Sequence, residues 1–214
     1  MTTLNEQLTE QAASSSGDPE LRAIRERAIE EIRHSAEAPG LAVGARIPAF
    51  TLPDAEGKLV SSEKVLADGP LVISFYRGDW CPYCNLELRA LEVAARDIAA
   101  LGASIVAISG QRPDAAAGLT DKHGISFPVL SDVDQVVISA FGLRYEIPAE
   151  LRKSYEERGT DMSSRNADGS WTLPISATYV VDATGVIVVA HNDPDYRVRL
   201  EPSAIVETLS ALQK

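Results

Sequence analysis

The sequence predicts an α/β domain: a central mixed β-sheet with helices on both faces, preceded by an N-terminal helix and a β-hairpin. Three observations predict it. Short apolar strands alternate with helix-patterned runs between Leu71 and Phe141. A second strand pair and a closing helix follow, from Thr178 to Leu212. The only two cysteines of the chain form a C-x-x-C, Cys81-Pro82-Tyr83-Cys84, where the first strong strand meets the first long helix.

The elements follow in chain order. Met1 to Gly17 reads as a disordered tail, with Ser14-Ser15-Ser16-Gly17 as a flexible stretch. Residues 18–39 read as a helical extension. Asp18 is placed to N-cap a helix with Pro19 at its first position, and Leu21, Ile24, Ala28 and Ile32 give it an apolar stripe to about Glu37. Pro39-Gly40 ends it. This helix reads as a packing or dimer surface rather than a catalytic element, which leaves a homodimer open. Residues 40–214 read as the main domain. Ala49 to Pro53, the turn Asp54-Ala55-Glu56-Gly57 and Lys58 to Ser61 predict a hairpin. Leu71 to Tyr76 is a buried strand. Asn85 to Leu101 is a helix with Leu88, Leu91, Ala95 and Ile98 inward, stopped by Gly102. Ser104 to Ser109 is a second buried strand, Asp114 to His123 a short helix, and Phe127 to Leu130 a short strand. Val133 to Phe141 is a helix with Val136, Val137 and Ala140 inward. Arg144 to Leu173 is a polar insertion, helical over Pro148 to Arg158 and loop over Gly159 to Gly169. It reads as a lid, an interface or a plain surface loop. Thr178 to Asp182 and Val186 to Ala190 are strands, and Pro202 to Leu212 the closing helix.

Length and composition narrow the function classes. A chain of 214 residues can bury one core with extensions. No apolar run approaches the roughly 18 residues of a membrane span. The polar N-terminus lacks an apolar signal core, so the expected location is cytoplasmic. The net charge of −11 argues against nucleic acid and anionic membranes as partners. A basic-faced protein partner is the lesser reading.

In such a compartment a C-x-x-C at a strand-to-helix junction reads as a redox dithiol. Side chains three apart on a helix lie about 5–6 Å apart at Cβ, close enough for a disulfide after small adjustment. Pro82 suits the first helical position, which puts Cys81 at the N-cap. There its sulfur can accept from the N–H of Tyr83 or Cys84, and the helix dipole favours its thiolate. Arg77 would lower a nearby thiol pKa and Asp79 would oppose it. Cys81 is on these grounds the more exposed thiol and the more reactive one in disulfide exchange. Trp80 and Tyr76 shape and pack the site. Structural zinc needs about four ligands, and His34, His123 and His191 are scattered without ligand spacing, so neither metal nor cofactor is expected. Two inert buried cysteines are the remaining alternative, against which the Pro82 context speaks.

Taken together, the motifs resemble the thioredoxin-like fold, and within it the peroxiredoxin-like branch of the alkyl hydroperoxide reductase / thiol-specific antioxidant family. Four segments carry the resemblance: Val43 to Asp54, Phe75 to Cys84, Phe127 to Asp132 and Ala177 to Asp182. It covers roughly Gly40 to Gln213. The family carries a P-x-x-x-[TS]-x-x-C motif whose cysteine attacks peroxide, with the Thr hydroxyl and a distant Arg holding the peroxide oxygens. That register puts the peroxidatic cysteine at Cys84, the Thr position at Cys81, the Pro position at Arg77 and the distant Arg near Ser176. Donors for the departing oxygen are then expected from Arg77, Arg144, the helix N–H groups or the insertion. The site also resembles thioredoxins through Trp80-Cys81-x-x-Cys84, where Cys81 would attack disulfides and Cys84 resolve. Pro82-Tyr83 is the dipeptide typical of glutaredoxins. Both families set a cis-proline against the dithiol; Pro174 is two residues early for that slot and Ser176 occupies it.

The resemblance implies a thiol-dependent peroxidase acting on hydrogen peroxide or organic hydroperoxides. Cys84 would become a sulfenic acid, Cys81 would close the Cys81–Cys84 disulfide, and thioredoxin or another dithiol would restore the pair. Two alternatives stay open: a general thiol–disulfide oxidoreductase with Cys81 as nucleophile, and a redox-sensing interaction protein whose dithiol switches the insertion or the N-terminal helix.

Overall fold

The computed structural model describes residues 2–14 and 17–213. A five-stranded sheet runs in the order β5 (Val129–Ser131), β4 (Ser104–Ser109), β3 (Leu71–Phe75), β8 (Ala177–Val181), β9 (Ile187–Asn192). The first three strands are mutually parallel; β8 lies antiparallel to both β3 and β9. All five residues of β3 are buried, as expected of a central strand covered on both faces. The period of two sorts its side chains. Leu71, Ile73 and Phe75 face α2 (Pro19–Ser35), α6 (Val136–Ala140) and α7 (Ala149–Glu157). Val72 faces α1 (Leu4–Ser14), α4 (Pro82–Ala100), α5 (Pro113–His123) and α8 (Pro202–Leu212). The hairpin pairs β1 (Thr51–Pro53) with β2 (Leu59–Ser61), followed by a short helix, α3 (Ser62–Asp68), that the sequence pattern did not reveal.

The N-terminal segment differs from its expectation. It is not a disordered tail: α1 packs on α4 through buried Leu4 and Leu8. Thr3 and Glu6 exchange reciprocal hydrogen bonds, and the Glu201 carboxylate accepts from the N–H groups of Leu4 (3.3 Å) and Asn5 (2.6 Å). Donors left open at the helix start are thereby satisfied. Ser15 and Ser16 of the expected flexible stretch lie outside the described residues. In α2, Asp18 caps Glu20 and Leu21 as the sequence indicates, but the helix stops at Ser35, where Ala36 turns left-handed.

One further expectation is corrected. In α6 the inward residue is Ile138, whereas Val136 and Ala140 are exposed; the helix begins only after Gln135, which shifts its face. The insertion carries its expected helix as α7, and Gly159 to Gly169 holds no longer element than a 3-10 turn at Ser163–Arg165. Its ends pair as β6 (Arg144–Glu146) and β7 (Thr172–Pro174). Its middle is tied down by Ala167 N–H to Gly110 C=O (2.9 Å) and by Gln135, whose amide donates to Asp168 and Ser170.

Candidate active site

Strand β3 points into the site at its C-terminal end, and the loop Arg77 to Trp80 delivers the chain to α4. The loop turns at Gly78, whose φ of 149° suits glycine, and a Cβ there would collide with the Trp80 indole and the Gln111 amide. Gln111 clamps the same loop: its carbonyl accepts from Asp79 N–H (2.7 Å) and its amide donates to the Asp79 carboxylate (2.6 Å). Cys81 is the N-cap of α4 and Pro82 its first residue, as the spacing predicts. The Cys81 sulfur does not close a capping hydrogen bond.

Both cysteines are free thiols, and both are buried: Cys81 is 1% and Cys84 0% exposed. The expectation of an exposed Cys81 is therefore corrected. The strand end, the Arg77–Trp80 loop and the segment after β9 close over the first turn of α4. Cys84 has two donors on its sulfur, the backbone N–H of Arg77 (3.5 Å) and Nη2 of Arg199 (3.6 Å).

Arg199 was not foreseen. It lies between β9 and α8, is 3% exposed, and is held on three sides. Its Nε donates to Glu87 Oε2 (2.7 Å), Nη2 to Ser176 Oγ (3.0 Å) and Nη1 to Val198 C=O (2.9 Å). Glu87 also accepts from Thr178 Oγ1 (2.8 Å). Burial works against the Arg199 charge, but the Glu87 carboxylate and the two sulfurs hold it on, and its pKa rises. Burial likewise pushes the Glu87 carboxyl up, opposed by Arg199. The sequence signalled Glu87 and its need for a cation, but not which cation. Glu87 falls one turn after Cys84 on the inward stripe that continues through Leu91, and a carboxylate on a buried helix face requires a cation.

The thiol pair shares its proton unevenly. Burial alone would raise the Cys81 pKa. A hydrogen bond from the Cys84 thiol, with the charges of Arg77 and Arg199, outweighs it and brings Cys81 down to about 6. Cys84 is pushed up, by burial and then by its neighbour's thiolate. The charges of Arg77 and Arg199 thus favour a thiolate on the pair, and Cys81 is its more acidic member.

The Arg77 guanidinium, in a residue 5% exposed, lies over the rings of Tyr196 (4.2 Å from the centroid) and Trp80 (5.0 Å). Tyr76 is fully buried, and burial pushes its phenol pKa up, so it stays neutral and packs. Arg144 does not join the site: it donates to Thr172 (3.3 Å) and lies 3.9 Å from Asp168. Pro174 sits in β7 opposite Arg144, and no cis peptide occurs among the described residues.

The AhpC/TSA family profile matches residues 43–190. The chain belongs to the AhpC/TSA family. A Mycobacterium tuberculosis relative carrying a peroxiredoxin name is 34% identical over 153 residues, 70% of this chain and 84% of its own. The chloroplastic peroxiredoxin Q of Sedum lineare is 30% identical over 79% of this chain and 77% of its own. Among solved structures, the peroxidoxin BcpB of Mycobacterium tuberculosis superposes with a TM-score of 0.64 at 22% identity, over 81% of this chain and 99% of that one. A mutant PrxQ of Xylella fastidiosa gives 0.65 at 16% identity, over 81% and 98%. The fold is that of the thioredoxin-like peroxiredoxins. Within the AhpC/TSA register, Ser176 stands where the resemblance expects the distant arginine, and the Arg199 guanidinium reaches that place from another segment.

Proposed function

We propose that this chain reduces hydroperoxides through a local dithiol cycle, with Cys84 as the atom that meets peroxide and Cys81 as its base and resolving partner. Membership of the family makes it a thiol-dependent peroxidase, an oxidoreductase whose substrates are peroxides and whose reductants are thioredoxin-like dithiols. The observation that carries the assignment of roles is the convergence of two N–H donors on the Cys84 sulfur, with the Cys81 thiolate beside it.

Cys84 sulfur attacks the terminal oxygen of ROOH while its proton passes to the Cys81 thiolate. The O–O bond breaks, Cys84 becomes the sulfenic acid S–OH, and RO⁻ leaves and takes a proton from water. Arg199, Nη2 toward the reacting sulfur, stabilises the charge on the departing oxygen. The Cys81 thiol then displaces water from the sulfenic acid, forming the Cys81–Cys84 disulfide. An external dithiol reduces it by thiolate exchange and is itself oxidised to a disulfide. We place this cycle in the cytoplasm, where the reductant pool keeps such a pair reduced.

The disulfide-reductase alternative draws support from the lowered Cys81 pKa and the W-C-x-x-C sequence. Against it, a protein disulfide must line up with the attacking sulfur, and Cys81 is 1% exposed. A peroxide is small enough to need far less opening. The test is sulfenic-acid trapping after one equivalent of peroxide. Cys81→Ser should trap at Cys84 and stall without an added thiol. Cys84→Ser should not trap. Trapping at Cys81 in Cys84→Ser at the wild-type rate reverses the roles.

A further inference from the structure

A groove that the dithiol cycle does not use runs between α1, α4 and α8, with a volume of about 690 Å³. α4 buries Leu88, Leu91 and Ile98 in the core. It also carries a second row, Ala90, Val93, Ala94 and Asp97, and that row lines the groove. The spacing i, i+3, i+4, i+7 puts all four on one helix face, along ~10 Å of axis. Val93 is 70% exposed, the most exposed of the large apolar side chains among the described residues. Ala90 and Ala94 beside it are small enough for another helix to pack close. α8 adds Val206 to the apolar part of the lining.

The charge of this groove has one sign. Glu10, Asp97, Glu201 and Glu207 line it, and among the described residues no lysine or arginine does. Glu201 is engaged at the start of α1, where it accepts from Leu4 and Asn5. The side chains of Glu10, Asp97 and Glu207 form no ion pair or hydrogen bond among the described residues. Elsewhere the carboxylates of this acidic chain find arginines: Glu26 holds Arg197, Glu150 holds Arg27 and Asp18 holds Arg158. An exposed apolar row among unpaired carboxylates is the complement of one kind of surface, an apolar stripe flanked by lysines or arginines. The net charge of −11 adds a long-range attraction of the same sign.

We propose that the α1–α4–α8 groove docks a basic amphipathic helix of a partner protein. Its apolar residues, three and four apart, pack on Ala90, Val93, Ala94 and Val206, as helix-in-groove recognition requires. Its lysines or arginines meet Glu10, Asp97 and Glu207 at the rim. Covering the apolar row supplies the affinity, and the rim charges select the sign of the partner and speed its approach. The inference goes beyond the peroxidase reading and does not use the dithiol.

The test uses the reduced full chain and a fluorescein-labelled Leu/Lys peptide of about 18 residues, with leucines at helical spacing. Binding is read by fluorescence anisotropy at about 0.1 M salt. The Leu/Lys helix should bind saturably. A scrambled peptide of the same composition and a Leu/Glu helix should each bind at least about tenfold more weakly. Asp97→Lys/Glu207→Lys should weaken the Leu/Lys helix about tenfold, because two surface contacts turn from attraction to repulsion. Glu63→Lys/Glu146→Lys makes the same change in net charge on α3 and β6, and should alter binding by less than about twofold. Val93→Ser should weaken it several-fold through lost apolar contact. All five side chains are exposed, so these variants should fold, and urea denaturation verifies it. Equal weakening by the two double variants would mean that only net charge is felt, and the inference falls. No saturable binding, equal binding of the scrambled peptide, or tighter binding of the Leu/Glu helix also overturns it. A wild-type dimer in sedimentation velocity that Val93→Ser dissociates would seat a second copy in the groove, and the basic partner is then wrong.

Discussion

The Arg199 guanidinium divides its donors among Glu87, Ser176, the Val198 carbonyl and the Cys84 sulfur. Only the last contact reaches a reacting atom; the others aim it. Removing one such donor from a developing oxyanion typically slows a reaction by about a hundredfold or more. Arg199→Met should therefore slow oxidation of the reduced protein by peroxide by about that factor, as read by stopped flow. The single change also leaves Glu87 buried without its cation, at a cost of about 3–5 kcal/mol. The Arg199→Met/Glu87→Gln double variant removes that cost and should stay slow, which separates chemistry from stability. The thiol pair makes its own prediction. With its pKa brought down to about 6, Cys81 should be thiolate above that pH and lose its charge below it. Iodoacetamide labelling should be flat above about pH 7 and fall about tenfold per unit well below the midpoint. Arg77→Met withdraws a positive charge from the thiolate and should move that midpoint up. An unshifted midpoint would remove Arg77 from the electrostatics of the pair. Cys81, Pro82, Cys84, Trp80 and Arg77 could be picked out from the sequence because they lie within eight consecutive residues. Arg199 could not, because 115 positions separate it from the sulfur it touches.

Among the elements, strands and helices with a strong period were readable, and those stabilised by distant partners were not. β3, β4 and α4 carry uninterrupted apolar runs or stripes and stand close to where the pattern puts them. α1 has only Leu4 and Leu8 as its buried residues, and its polar composition resembles that of a tail. The Thr3-x-x-Glu6 capping box was the local signal for it; the Glu201 cap and the seat on α4 were out of reach of sequence pattern. Gln135, at the start of α6, joins Asn166 and Thr172 of the insertion in a buried polar network, and networks of that kind leave no hydrophobic period. The packing of α1 predicts a measurable stability contribution. Leu8→Ala should cost roughly 2 kcal/mol, the low end for a buried leucine because the helix is peripheral. Urea denaturation of the reduced protein checks it. A change within about 0.5 kcal/mol would mean that α1 is detached in solution.

At the scale of the molecule, the parallel half of the sheet sets the dithiol at the C-terminal end of its central strand. The antiparallel half then returns Ser176, Thr178 and Arg199 to the same end. Fold and dithiol were legible because one sheet pattern and one C-x-x-C suffice to indicate them. The surrounding charges were not, since each comes from a different part of the chain. The most direct measurement of the account is the reaction of the reduced protein with one equivalent of hydroperoxide, followed by stopped flow and by intact-mass and peptide mass spectrometry. The account predicts consumption of one peroxide for two thiols, a transient sulfenic acid on Cys84, and a Cys81–Cys84 disulfide within one chain. Oxidation no faster than that of free cysteine, or an intermolecular disulfide as the main product, would contradict it.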